Sequence, residues 1–259
     1  MNKNKRARLY SALIGASSLI AMWLVWVIAH KTVKNEYLVP GVKETLSSLL
    51  ELLKDGFFWR ATYKTLIKVI IAFAISFVLA GALSALGNLF KRFDLFLKPI
   101  TAVIRTLPTM AILVLILIYT NATTAPVIVA VLVLMPMIYN QFSVAFRAVD
   151  DGLVSAMKIY GVKRKDRIFK VYLPVIAPTV LGSVGSNLSF GVKLIISAEV
   201  MAFTFTSIGG MMQNANAMLD IPKLSALTLV AVILGLLIEL IFHLALKKAF
   251  KWNESGVNV

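Results

Sequence analysis

AVDDGLVSAMKIYGVKRKDRIFKVYLP, running from Ala148 to Pro174, is a polar and strongly basic stretch set between long apolar runs. Val149, Leu153, Ala156, Met157 and Tyr160 fall at i, i+4, i+7, i+8 and i+11, which is one apolar stripe on a helix. Asp150 and Asp151 stand where a helix start favours negative charge, and Gly161 stands where a left-handed cap ends it. A second short helix is expected after the glycine. It places Ile168, Val171 and Tyr172 on one face, among Lys163, Arg164, Lys165, Arg167 and Lys170. Pro174 then falls in the first turn of the next segment, where a missing N–H is tolerated. Two short helices broken at a glycine make a knob whose apolar stripe suits a partner's groove. The same pattern also fits a solvated basic loop lying on a lipid surface.

The flanks set the class. Of 259 residues 59% are hydrophobic, against about 45–50% in an ordinary soluble domain. Mean hydropathy is +0.85. The net charge of +15 does not point to nucleic acid, because the basic residues flank apolar runs instead of forming one face. With no cysteine, the chain has no disulfide, thiolate metal site or cysteine nucleophile.

An all-α integral membrane protein with six transmembrane helices is expected, the spans running about 10–29, 66–86, 100–119, 126–142, 174–200 and 224–245. The first follows the basic segment MNKNKRAR; it is longer than a signal-peptide core and ends without a cleavage pattern. Between the first two spans, Val42, Leu46, Leu49, Leu50 and Leu53 mark an amphipathic helix opened by Pro40 and stopped by Gly56, expected on the outer membrane surface. In the second, Ala72, Ser76, Ala80 and Ser84 recur every fourth residue beside Gly81, which lets helices approach closely in lipid. Gly87 to Lys98 is expected as a basic loop. The third span is expected to kink at Leu107-Pro108-Thr109. The fifth, with Ser183, Gly185, Ser186, Asn187, Ser189, Gly191, Lys193 and Ser197, should face protein or water.

Lys and Arg are richer at the termini, in the Gly87–Lys98 segment and in the opening stretch than in the connections on the other side, where Lys31, Lys34, Lys43, Lys54, Arg60 and Lys223 lie. Both termini and the opening stretch are therefore expected in the cytoplasm. No G-x-x-x-x-G-K-[ST] phosphate loop occurs, so ATP chemistry is not expected on this chain. His30 and His243 are isolated from metal-ligand spacing. Arg105, Pro108, Asn187, Lys193 and Glu199 are the candidate pathway residues, since ionisable groups inside a bilayer need partners, water or a substrate path. Lys68 either snorkels or faces a neighbour, and Glu239 reads as structural.

The opening stretch resembles the cytoplasmic signature of the membrane subunits of binding-protein-dependent ABC importers. That signature is a Glu-Ala-Ala triplet, a glycine after three more residues, and Ile-x-Leu-Pro about nine further on. Ala156, Gly161, Leu173 and Pro174 match and Val171 is close, whereas Ser155 replaces the glutamate and Met157 the second alanine. Ile104-Arg105-Thr106-Leu107-Pro108 with Ala111, and Ala198-Glu199 followed by Ile208-Gly209, are similar to segments of the nitrate, sulfonate, taurine and pyrimidine-precursor branch. The resemblance implies the type I importer permease fold: one transmembrane domain over 1–259, a core at about 62–249 and a cytoplasmic coupling loop at about 146–173.

The resemblance further implies a homodimer in the bacterial inner membrane that carries two ABC ATPase subunits and is fed by an extracytoplasmic substrate-binding protein. Leu153, Ser155, Ala156, Met157, Tyr160, Gly161 and Pro174 would form the ATPase-coupling element. No cofactor is expected on this chain, ATP and Mg belonging to the partner ATPase; nucleic acid is not a partner, and lipid is. A small polar solute is the implied cargo, a nitrate-, sulfonate- or taurine-like anion or a pyrimidine vitamin precursor. An ion-coupled secondary transporter and a membrane substrate-capture protein are the rival readings; the first calls for internal repeats with acidic residues near mid-membrane, and no convincing repeat is visible.

Overall fold

In hydrocarbon every backbone N–H and C=O needs a partner within the protein, which leaves helices as the economical answer for runs as apolar as these. The computed structural model describes residues 3–33, 35 and 38–249, and no strand occurs among them. The helices, in chain order, are α1 (Lys3–Val33), α2 (Val42–Lys54), α3 (Gly56–Leu89), α4 (Lys91–Thr106), α5 (Thr109–Tyr119) and α6 (Ala125–Arg147). They continue with α7 (Asp151–Ile159), α8 (Arg164–Arg167), a π turn at Ile168–Tyr172, α9 (Leu173–Gly182), α10 (Val184–Met201), α11 (Ile208–Ala217) and α12 (Ile221–Ala249). Lys34 and Lys251, counted in the charge bias, lie outside the described residues, as do the side chains of Lys3, Lys5, Arg6, Arg8, Asp151 and Arg164.

Four described stretches are long and apolar enough to cross a membrane: Gly56–Leu89, Ala125–Arg147, Lys165–Met201 and Ile221–Lys248. The helices α4 and α5 make a fifth when taken as one broken span, with a bend of 94° between them. The expected kink at Leu107-Pro108 is thus a sharp break. The first expected span coincides with α1, in which Ile20–Val33 is a shorter apolar stretch. Its end is tied down by Trp26 Nε1 donating to Pro40 O at 3.1 Å and by His30 Nδ1 at 2.9 Å from Val39 O.

Several local expectations need correction. Gly87 to Lys98 is not a loop: α3 runs to Leu89, α4 starts at Lys91, and only Phe90 stands between them. The basic residues there are the polar side of an amphipathic helix, whose Leu97 is buried while Lys91, Arg92 and Lys98 are exposed. Gly56 does not stop α2 but begins α3. Asp55 ends the first helix and caps the second, accepting from Phe57 N at 2.8 Å. The helix α2 packs into the bundle, its Leu52 buried with Phe58, Ala61, Met211, Ala226, Leu227 and Val230.

The core is organised around α10, which packs against α3, α6, α11 and α12. Across it, α3 and α6 form the most extensive helix pair. The four-residue ladder of small side chains is the reason: Ala72, Ser76, Ala80 and Ser84 are all buried. Ser84 Oγ lies 3.2 Å from Ser143 Oγ, and the ring of Phe142 lies over Gly81. In lipid, where burial from water supplies little, such close backbone approach gains dispersion contacts that larger residues would forfeit.

Candidate functional site

At one end of the bundle α6 passes into α7. Asp150 caps α7, its Oδ1 accepting from Gly152 N at 2.7 Å and Leu153 N at 3.3 Å. The other end closes at Gly161, φ +67°, with Val162 N donating to Met157 O at 2.9 Å and Gly161 N to Lys158 O at 3.1 Å. Those two bonds are the six-to-one and five-to-two pair of a Schellman cap. Glycine suits this position for its backbone alone, because an added Cβ would meet nothing within 4 Å.

The expected apolar stripe divides in two. Val149 and Val154 are buried with Ala145, Val171, Ile176 and Val180, and Met157 packs against that cluster. Leu153, Ser155 and Tyr160 are exposed, Tyr160 at 86%, while Ala156 is half-buried. Val154 therefore anchors α7, and Leu153 and Tyr160 are left for another surface. Ile159, also exposed, belongs with them and was hidden by its position outside the heptad-like stripe.

The second short helix is not a separate piece. From Arg164 the chain turns through the π turn into α9, with Leu173 N donating to Ile168 O. Pro174 explains the widening: it offers no N–H and its ring crowds the carbonyl four residues earlier, a conflict that the wider π frame relieves. The π turn also changes which residues face inward. Val171 is buried, and Ile168 joins Phe169 on the exposed side.

Within the bundle the polar residues of α10 fall into two sets. Asn187 is 2% exposed and forms a reciprocal amide pair with Gln141 of α6, with bonds of 2.7 and 3.0 Å; Ser183 Oγ donates to the same Gln141 Oε1 at 2.8 Å. Glu199 is fully buried. Its Oε1 accepts from Lys68 Nζ at 2.7 Å, and its Oε2 from Thr65 Oγ1 at 2.9 Å and Gly209 N at 3.4 Å. Thr65 Oγ1 in turn accepts from Ile208 N at 3.1 Å. One carboxylate thus ties α3, the end of α10 and the start of α11 together. Gly209 makes room for it, since a Cβ there would clash with Glu199 Cβ and sit 2.6 Å from Val200 N.

The other candidate residues lie elsewhere. Lys193 is exposed, with Ser186, Ser189 and Ser197 on the same face of α10, beside Thr228 of α12 in a cavity of about 530 Å³. Arg105 and Pro108 are exposed on either side of the break between α4 and α5. Among the described residues Arg105 has no ion pair. Lys193 therefore shares its helix face with serines, whereas Glu199 and Asn187 are engaged inside the protein. Thr65 and Gln141 were missed as partners, because pairings separated by 134 and 46 positions leave no local signal.

Known proteins share this architecture. The chain is similar to the aliphatic sulfonates transport permease protein SsuC of Bacillus subtilis (strain 168), 24% identical over 255 residues, covering 97% of this chain and 90% of that one. It is also similar to the taurine transport system permease protein TauC of Escherichia coli (strain K12), 21% identical, covering 91% and 86%. Among solved structures, an amino acid ABC transporter crystallised with histidines aligns with TM-score 0.60 at 18% identity, over 77% of this chain and 95% of that one. An inward-facing form of the MetNI methionine ABC transporter aligns with TM-score 0.60 at 16% identity, over 74% and 95%. The family described as "Binding-protein-dependent transport system inner membrane component" matches residues 77–249, which take in α3 from its middle onward, the capped α7, and Glu199 and Gly209 but not their partners Thr65 and Lys68. By that match the chain belongs to this family, as a non-catalytic, multi-pass membrane component of an ABC importer.

Proposed function

We propose that the chain forms, as a homodimer, the solute pathway of an importer whose cargo is a small anion of the sulfonate or taurine kind. An extracytoplasmic binding protein delivers the solute, and two separate ATPase subunits, which hold ATP and Mg, drive the cycle. The observation that carries this reading is the capped α7. Its outward Leu153, Ile159 and Tyr160 form an apolar knob, and the chain beyond it runs helically from Lys165 to Met201. Motion imposed on the knob by a closing ATPase reaches α10 through packed helix, because close-packed elements switch between discrete arrangements.

Several observations support the finer points. The serine face around Lys193 gives an anion both hydroxyl donors and one cation, and the similar SsuC and TauC carry the names of an aliphatic sulfonates transport permease and a taurine transport system permease. The excess of Lys and Arg at the α7 end supports a cytoplasmic location for that end and for both termini.

Two variants of one residue test the coupling role. A non-glycine residue in the left-handed region loses about 1–2 kcal/mol. Gly161→Val, branched at Cβ, should therefore shift α7 out of its capped form by at least about five- to thirty-fold. Gly161→Asn, with a side chain that tolerates this backbone, should not. In proteoliposomes containing the partner ATPase and binding protein, the valine variant should insert normally yet lose ATP-driven uptake, and the asparagine variant should transport. Equal uptake by both variants would remove α7 from the coupling route.

A further inference from the structure

At the α7 end of the bundle, α3, α4 and α6 enclose a cavity of about 450 Å³ that the transport reading does not use. Lys91, Lys98 and Arg147 line it, with Asp94 as the lone carboxylate. Asp94 is the organiser. Its Oδ1 accepts from Tyr139 Oη at 2.8 Å, and its Oδ2 lies 3.0 Å from Lys98 Nζ and 3.6 Å from an Arg147 guanidinium nitrogen. Both cations are thereby held at the cavity while half or more of each side chain stays exposed. Lys91 has no ion pair among the described residues. Three cations facing one already satisfied carboxylate leave positive charge that no other ion pair among the described residues neutralises. Asn88 and Ser143 add neutral polar groups to the wall.

The surroundings identify the missing anion. The cavity sits where α3 ends and α4 begins, the level at which the apolar helix surfaces give way to charge. Leu89, Phe90, Leu95 and Phe96 beside it are all exposed, so an apolar surface adjoins the basic pocket. A cationic pocket with an apolar flank at a membrane–water boundary fits a phosphodiester headgroup whose acyl chains lie along the flank. We propose that this cavity binds the phosphate of an anionic membrane phospholipid. A headgroup that also carries an ammonium gains less, since the pocket repels its positive end. The proposal needs only that this end of the bundle lies at a membrane surface, so it stands apart from the assignment of cargo and coupling.

The test is a native mass-spectrometric titration of the full chain in detergent, with phosphatidylglycerol and with phosphatidylcholine. The wild-type chain should bind the first phosphatidylglycerol more tightly by about five-fold for each cation engaged, the factor matching about 1 kcal/mol per basic residue. Lys91→Gln/Arg147→Gln should lose that preference, whereas Lys247→Gln/Lys248→Gln, which removes equal charge elsewhere, should keep it. Lys91→Gln alone, which disturbs no ion pair, should lose about five-fold and covers the case of an Arg147 variant that fails to fold. Millimolar inorganic phosphate should leave phosphatidylglycerol binding unchanged; competition would reassign the pocket to a free anion. No preference in the wild-type chain, or equal loss in both double variants, would overturn the proposal.

Discussion

Glu199→Gln isolates the buried ion pair that joins α3 to the end of α10. Gln keeps the size of the side chain and an oxygen for Thr65 and the Gly209 N–H, and sets a neutral amide NH2, itself a donor, where the negative partner of Lys68 stood. Lys68 is itself 7% exposed, so its ammonium would be stranded in a site closed to water. Breaking one half of a buried pair costs about 3–5 kcal/mol, because the surviving charge has lost its compensation. At roughly 2–4 °C per kcal/mol for a chain of this length, thermal unfolding of the variant in nanodiscs should come about 6–20 °C early. Lys68→Met should be similarly harmful. The double variant Lys68→Met/Glu199→Gln should recover most of the loss, since a neutral packed pair avoids the desolvation that the ionic one must overcome. A double variant as unstable as the sum of the two singles would refute the argument, and so would singles that each unfold within about 2 °C of wild type.

Further substitutions probe the rest of the architecture. Gly209→Ala should destabilise by about 1–3 kcal/mol, measured by the same thermal assay, because its Cβ has Glu199 and Val200 in the way. Asn187→Leu should cost about 1–2 kcal/mol by leaving the Gln141 amide without its reciprocal partner in a lipid-enclosed core. Ser84→Leu should wedge α3 from α6 and lower the unfolding temperature by about 2–10 °C, whereas the same change at exposed Ser186 should not. Lys193→Gln should reduce uptake of a sulfonate more than it reduces ATP hydrolysis, read by paired assays on the reconstituted transporter.

The parts legible in the sequence were those written in short-range spacing. The Ala72-Ser76-Ala80-Ser84 ladder repeats every turn, and it is buried along its whole length. Gly161, falling just past the apolar stripe, marked a left-handed cap that the backbone adopts. Pro108 marked the break between α4 and α5. Errors arose where two signals competed. The basic residues of Gly87–Lys98 suggested a loop, yet Leu97 and the other apolar residues among them carry a helical period that won once α4 packed on α3 and α6. For Glu199 the sequence leaves a lined path and a structural ion pair equally open, because a carboxylate in lipid calls for either. Its compensation comes from Lys68, 131 residues away, which only the folded chain brings near. Leu153 stays outward, as its place on the stripe implies, while the burial of Val154 beside it had no signal of its own, because adjacent apolar residues do not say which one a neighbouring helix will cover.

The π turn at Ile168–Tyr172 is the trace of a single surplus residue in an otherwise regular rod. Each residue of an α-helix advances the azimuth by about 100°, so trimming one residue here would rotate everything upstream by roughly that angle about the axis of α9. Arg167 and Lys163 would swing round, and the cap at Gly161 could follow only if Val149 and Val154 gave up their packing on Ile176 and Val180. A length change at this point therefore sets the aim of the tip against the packing that moors it, in discrete steps of about 100°.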